Sequence, residues 1–186
     1  MMAAAGFEMT RYADDLVIQC KTLAEAECAL AKVAAWTSDR GLTLHPTKTK
    51  IVDVEVDGFE FLGYRFIKHR RFPRKKSMMK FKDSIRHKTR RTSGHSLEST
   101  IATLNVSLRG WYEYFKHSWK TTFPELDAYI RGRLRSILRK RDGRKGRGRG
   151  LDHNRYTNAF FAEHGLLSLV ETRACECQSL KRKPQA

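Results

Sequence analysis

From Leu97 onward the apolar residues step along the chain by four, three, four, three and four: Leu97, Ile101, Leu104, Leu108, Trp111, Phe115. That spacing keeps all six on one side of a helix about 30 Å long. A stripe of this length must be covered by other apolar faces, and the chain supplies one. In "FPELDAYIRGRLRSILRKR" the residues Leu126, Ile130, Leu134, Ile137 and Leu138 share a second face, with arginines on the other side and Pro124 near the first turn. The helices from residue 68 to 141 therefore read as a small three-helix bundle.

The pattern before Arg65 is different. "FEMTRY" and "LVIQC" flank a tight turn at Ala13-Asp14-Asp15 and read as a hairpin, its apolar flanks placing the tip on a buried sheet. Thr22 and Glu25 form a capping box ahead of Leu23, Ala26, Leu30, Val33 and Ala34, and Gly41 supplies a stop, so 22–40 is predicted to be a helix. "KIVDVEV" and "FEFLGYRF" both alternate with period two, and Asp57-Gly58 between them predicts the hairpin turn. The expectation is an α+β fold: antiparallel strands with one packed helix over 1–67, open on the N-terminal side, then the all-α bundle of 68–141. A flexible Gly/Arg linker, 142–150, and a short basic tail region, 151–186, complete the expected order; the run 143–150 equally resembles a flexible nucleic-acid-binding segment.

Charge decides what kind of partner such a chain attracts. It carries 37 Lys and Arg against 20 Asp and Glu among 186 residues, a net charge of +17. The excess is clustered: residues 65–91 hold thirteen Lys or Arg and one acid, Asp83. This favours a polyanion through steering and counterion release. No apolar run approaches the roughly 20 residues of a membrane span, and no basic leader precedes an apolar region. Cys20, Cys28, Cys175 and Cys177 form no secreted disulfide framework, which fits a reducing cytoplasm. Cys175-x-Cys177 with His164 is half a metal-site pattern, and half a pattern is too little to assign zinc.

Against this background the adjacent carboxylates of "YADD" stand out. Two unit charges about 4 Å apart repel by roughly 4 kcal/mol at an effective dielectric of 20. The plain reading is a solvated turn. The other is a pair of hard oxygen ligands for Mg²⁺ beside a phosphate backbone.

"RYADD" followed by a helix, then "GLTLHPTKTKI" and "FEFLGYRF", resembles the second half of the palm of reverse transcriptases encoded by bacterial group II introns. "FKDSIRHKTRR", "LNVSLRGWYEYF" and "LDAYIRGRLRSIL" resemble the thumb, or maturase-specific domain, of the same family, and the blocks fall in order over residues 7–140. The resemblance implies a partial polymerase palm followed by a helical thumb. It makes Asp14 a direct ligand of two catalytic Mg²⁺ ions and Asp15 an auxiliary acid, with Tyr12 and Ala13 near the incoming nucleotide and primer end. Lys48 falls beside the triphosphate or is a solvated lysine. Phe61, Leu62, Gly63 and Tyr64 match the element that holds the primer strand, although Phe61 and Leu62 also suit a core.

The implied partners are intron RNA and an RNA/DNA primer-template. Expected phosphate contacts are Arg74, Lys75, Lys76 and Lys80, then Arg86, Lys88, Arg90 and Arg91, and further on Arg109, Arg131, Arg133 and Arg135. Trp111 and Phe115 are either stacking groups or bundle core. The family's site needs a further aspartate and template-binding fingers from segments preceding the palm half seen here. The expectation is a C-terminal portion that does not polymerise alone, unless an N-terminal half acts in trans. Residues 151–186 are too short for the endonuclease domain of some relatives. Three functions remain: RNA-templated nucleotide transfer, maturase-type RNA binding without chemistry, and generic nucleic-acid binding with the aspartates as an ordinary turn.

Overall fold

A computed structural model describes residues 5–148 and 150–181. The fold is α+β, in two compact units, Met1–His69 and Arg70–Ala186.

The first unit begins with antiparallel strands β1 (Glu8–Tyr12) and β2 (Asp15–Gln19), paired from Glu8 opposite Gln19 to Tyr12 opposite Asp15. The register leaves a two-residue turn, Ala13-Asp14, with Ala13 at φ +50°. Helix α1 (Leu23–Ser38) starts at the expected capping box: the Glu25 N–H donates to Thr22 Oγ1 at 3.2 Å and the Thr22 N–H to Glu25 Oε2 at 3.4 Å. It closes through Gly41, at φ +66°, whose N–H bonds to Ser38 while the Leu42 N–H reaches back to Thr37. The α1 face buries Ala29 and Val33 against Phe7, Ile18, Cys20 and Leu44. This core is small. Strand β1 is exposed at all five residues, so the tip does not rise from a buried sheet as its apolar flanks suggested.

The second hairpin also departs from expectation. "KIVDVEV" forms no strand. Asp53 intercepts it: its carboxylate takes the Glu55 N–H at 2.8 Å, and its carbonyl takes the N–H groups of Asp57 and Gly58. The end of the expected strand and its turn are thereby drawn into a local turn centred on Asp53. The pairing moves downstream, to β3 (Phe59–Phe61) and β4 (Tyr64–Ile67), with Phe61 opposite Tyr64 and the turn at Leu62-Gly63. Both turn residues have positive φ, +48° and +77°, as a two-residue hairpin of this hand requires.

In the second unit a short strand β5 (Arg70–Pro73) leads into α2 (Lys75–Lys88), α3 (Leu97–Phe115) and α4 (Thr122–Arg141). All six residues of the α3 stripe are buried, as are Leu126, Ile130, Leu134, Ile137 and Leu138 of α4. At about 1.5–3 kcal/mol per large side chain, the α3 stripe alone contributes on the order of ten kcal/mol. Phe81 stacks on Trp111 with ring centroids 4.8 Å apart, and Phe115 and Phe123 close the cluster. Trp111 and Phe115 are therefore core.

Three more helices follow where a tail was expected: α5 (Leu151–Arg155), α6 (Asn158–Glu163) and α7 (Leu169–Lys181). Polar side chains fasten them. The Asp127 carboxylate on α4 accepts from Ser168 Oγ and from the N–H groups of Leu169 and Val170, capping α7. Asn105 bridges the Gly165 carbonyl and the Leu167 N–H. The fully buried Asp152 takes Arg139 at 2.7 Å and Arg144 at 2.8 Å. The expected flexible linker is held as well. The Lys145 carbonyl accepts from Arg139, the Gly146 carbonyl from Arg91, and the Gly148 N–H donates to Ser136 Oγ. A Cβ on Gly148 would stand 2.7 Å from that of Arg135. Arg149 and residues 182–186, which carry the basic end of the expected tail, lie outside the described residues.

Candidate functional site

The first unit presents the YADD hairpin. Asp14 holds the second turn position and Asp15 opens β2 opposite Tyr12; both are exposed. Tyr12 is 63% exposed. Arg11 Nε donates to the Ala13 carbonyl at 2.9 Å, bracing a turn whose non-glycine residue lies in the left-handed region. Such a conformation costs about 1–2 kcal/mol and persists only where the surroundings enforce it.

The donor set of the carboxylate pair suits a hard divalent cation. Mg²⁺ is commonly held by one or two carboxylates together with substrate phosphates, and Asp14 and Asp15 supply that share. Among the described residues no group of three or more His, Cys, Asp or Glu side chains gathers to hold an ion, Cys175 and Cys177 included. The pair fits a partial ligand set.

In the same unit Lys48 is exposed in a turn where its N–H donates to the His45 carbonyl. Phe61, Gly63 and Tyr64 are half-buried around the β3–β4 turn, and Leu62 is 37% exposed at its tip. Phe61 and Leu62 are not core.

The second unit sorts the basic residues into two populations. One serves the fold. Arg135 is only 5% exposed and donates to the Tyr156 carbonyl at 2.8 Å and to Asn158 Oδ1 at 3.0 Å, turned inward where a phosphate contact was expected. Arg131 lies 3.9 Å from buried Asp127. Arg74 donates to Ser77, Lys88 to Ser84, and Arg86 pairs with Asp83. The other population faces solvent: Lys75, Lys76 and Lys80 on α2, Arg90 after it, and Arg109 on the outer side of α3. None of these five has a carboxylate partner among the described residues.

Arg133 joins the two populations. Its guanidinium donates to Thr89 Oγ1 at 3.0 Å and to the Thr89 carbonyl at 2.8 Å, tying α4 to the end of α2. Burial pushes its pKa down, Tyr129 opposes this, and the charges of Arg91, Arg86 and Arg147 push it further down. Four guanidiniums from α2, the turn after it, α4 and the 142–148 segment thus gather at one place. Arg147 was signalled only as part of the Gly/Arg run 143–150, which reads equally as a nucleic-acid-binding segment and as a linker.

Residues 2–66 match the reverse transcriptase (RNA-dependent DNA polymerase) family, and residues 78–156 match the group II intron maturase-specific domain. The chain belongs to the group II intron reverse transcriptases and maturases. No curated protein matches it. The boundary between the two family matches falls where the compact units divide, between the β3–β4 hairpin and α2. In this family chain, then, the YADD hairpin belongs to the reverse transcriptase part and the gathered arginines to the maturase part. Among the described residues no helix is long and apolar enough to cross a membrane.

Proposed function

We propose that this chain grips intron RNA through the basic surface of its helical unit, the maturase thumb, and contributes the YADD hairpin of a reverse transcriptase palm. The gathering of Arg86, Arg91, Arg133 and Arg147 carries the reading: among the described residues only Arg86 of the four is paired with an acid, Asp83, and like charges so brought together favour a polyanion. Lys75, Lys76 and Lys80 extend that field along α2.

When a divalent ion is bound, it supplies charge neutralisation at the phosphates of nucleotide transfer. Asp14 and Asp15 would hold it. The chain's own residues prepare that position: Arg11 braces the turn, and Tyr12 offers an exposed ring beside it. Tyr64 and the Leu62-Gly63 turn suit contact with a primer backbone, since positive φ at both positions makes a tight, narrow tip. Two carboxylates fall short of a two-metal centre, which a further acid would have to complete. An N-terminal reverse transcriptase half acting in trans could supply it, and the exposed strand β1 is a suitable edge for such a partner.

RNA-templated primer extension with the purified chain and Mg²⁺, beside Asp14→Asn, tests this. The expected result is no extension by either protein, with RNA binding equal in both. Extension that Asp14→Asn abolishes would mean that the chain assembles a complete active site. RNA binding lost in both would remove the maturase reading.

A further inference from the structure

The loop between α3 and α4 carries an aromatic and basic surface apart from the arginines described above. Trp119 lies there, partly exposed, on a braced backbone. Its N–H donates to the Arg71 carbonyl at 2.7 Å, and Arg71 Nε returns a bond to the His117 carbonyl at 2.7 Å. From the other side Arg173 donates to the Ser118 carbonyl at 2.8 Å. The backbone that carries the indole is thus held by β5 and α7 together.

Cations surround it. The Arg70 guanidinium stands 4.5 Å from the ring centroid and the Lys120 ammonium 6.0 Å from it. Arg70, Arg71 and Lys120 are exposed, and none has a carboxylate partner among the described residues. The nearby acids Glu113 and Glu176 are taken by Lys116, and Glu176 also by Tyr112. Two like charges beside the ring, with Arg71 bonded to the His117 carbonyl of the same loop, repel one another until an anion joins them. A nucleotide supplies both missing parts: a flat base for the indole and guanidinium, and a phosphate for the cations. A duplex hides its base faces and meets only the second demand.

We propose that Arg70, Arg71, Trp119 and Lys120 form a docking point for an unpaired RNA nucleotide, the base stacked on Trp119 and the phosphate held by the cations. This rests on the reading of the chain as an RNA binder and adds a preference for single-stranded segments at one place on it.

The test is fluorescence anisotropy of the full chain with a labelled twelve-residue oligouridylate and with a labelled RNA duplex of equal length. The stacking contribution predicts about a 10-fold loss of single-strand affinity in Trp119→Ala, with Trp119→Phe within about 3-fold of the parent and duplex affinity changed less than about 2-fold in both. Quenching of intrinsic fluorescence by oligouridylate should persist in Trp36→Phe and vanish in Trp119→Ala. The exposed double variant Arg70→Ala/Lys120→Ala leaves the core untouched and should weaken single-strand binding several-fold. Unchanged single-strand affinity in Trp119→Ala, or equal losses for strand and duplex, would overturn the docking point while leaving RNA binding intact. Effective competition by a poly-glutamate of equal charge would overturn it in favour of an acidic peptide. Failure of the parent chain to bind either RNA would instead overturn the proposed function.

Discussion

Arg135 and Lys80 are both basic residues on amphipathic helices, and the structure gives them opposite duties that mutation can separate. Arg135→Ala removes two hydrogen bonds from a site only 5% exposed and leaves the Tyr156 carbonyl without its guanidinium donor. It also uncovers Phe161, whose ring centroid lies 5.4 Å from the guanidinium carbon. A buried acceptor stripped of its partner costs about 1–3 kcal/mol, and lost packing adds to this, so about 2–4 kcal/mol of destabilisation is expected. Lys75→Ala/Lys76→Ala/Lys80→Ala should change stability by no more than about 0.5 kcal/mol per site. Its effect should fall on RNA. If each lysine neutralises one phosphate, removing three flattens the log–log salt dependence of binding by about 2 to 3. Urea denaturation followed by tryptophan fluorescence reads the first effect, and anisotropy at several salt concentrations reads the second. An Arg135→Ala protein as stable as its parent, or a triple variant with an unchanged salt slope, would refute this division of the basic residues.

Asp127→Ala should cost about 2–4 kcal/mol, because it leaves the α7 N–H groups of Leu169 and Val170 uncapped; faster hydrogen exchange across 158–181 is the check. Gly58→Ala should destabilise the first unit by more than about 1 kcal/mol, since a Cβ at φ +66° would lie 2.3 Å from the Phe66 carbonyl oxygen; thermal unfolding measures it. Acid should weaken the second unit. Hydrogen bonds from Tyr112 and then Lys116 hold Glu176 below its ordinary 4.5, and Arg144 with Tyr156 hold Asp142 below its ordinary 3.8. Folded-state values that are depressed contribute stability above the unfolded pKa and lose it as pH falls through the folded one. The midpoint of urea unfolding should therefore drop below about pH 4.5, and Glu176→Gln should reduce that drop.

What could be read directly from the residues was local and periodic. The α3 stripe from Leu97 to Phe115 repeats often enough to leave one solution, and Thr22 with Glu25 announces the start of α1 within four residues. The hairpin around Ala13-Asp14 needed only its flanks. The failures came from side chains that act at a distance or against the pattern. "KIVDVEV" alternates like a strand, yet Asp53 draws the chain into a local turn, its carboxylate taking the Glu55 N–H and its carbonyl those of Asp57 and Gly58. The helices after residue 150 are fastened by Asp127, Asn105 and Asp152, and a bond such as that from Leu169 to Asp127, 42 residues apart, leaves no periodic trace. For the same reason a run of arginines does not disclose its division: Arg133 and Arg135 read like Lys80 until Thr89, Tyr156 and Asn158 are found beside them. The carboxylates of YADD were recognisable by resemblance, whereas Trp119 and Arg70, 49 positions apart, meet only once β5 lies along the α3–α4 loop.

The central claim is that the gathered basic surface of the helical unit grips RNA through phosphates. Its most direct test is the affinity of the full chain for a structured RNA, measured by anisotropy across a salt series. Contact with about six phosphates predicts a log–log slope of roughly −4 to −5, and Arg86→Ala/Arg91→Ala should make it shallower by about 1 to 2. Binding that hardly responds to salt, or a slope that this double variant leaves unchanged, would contradict the account.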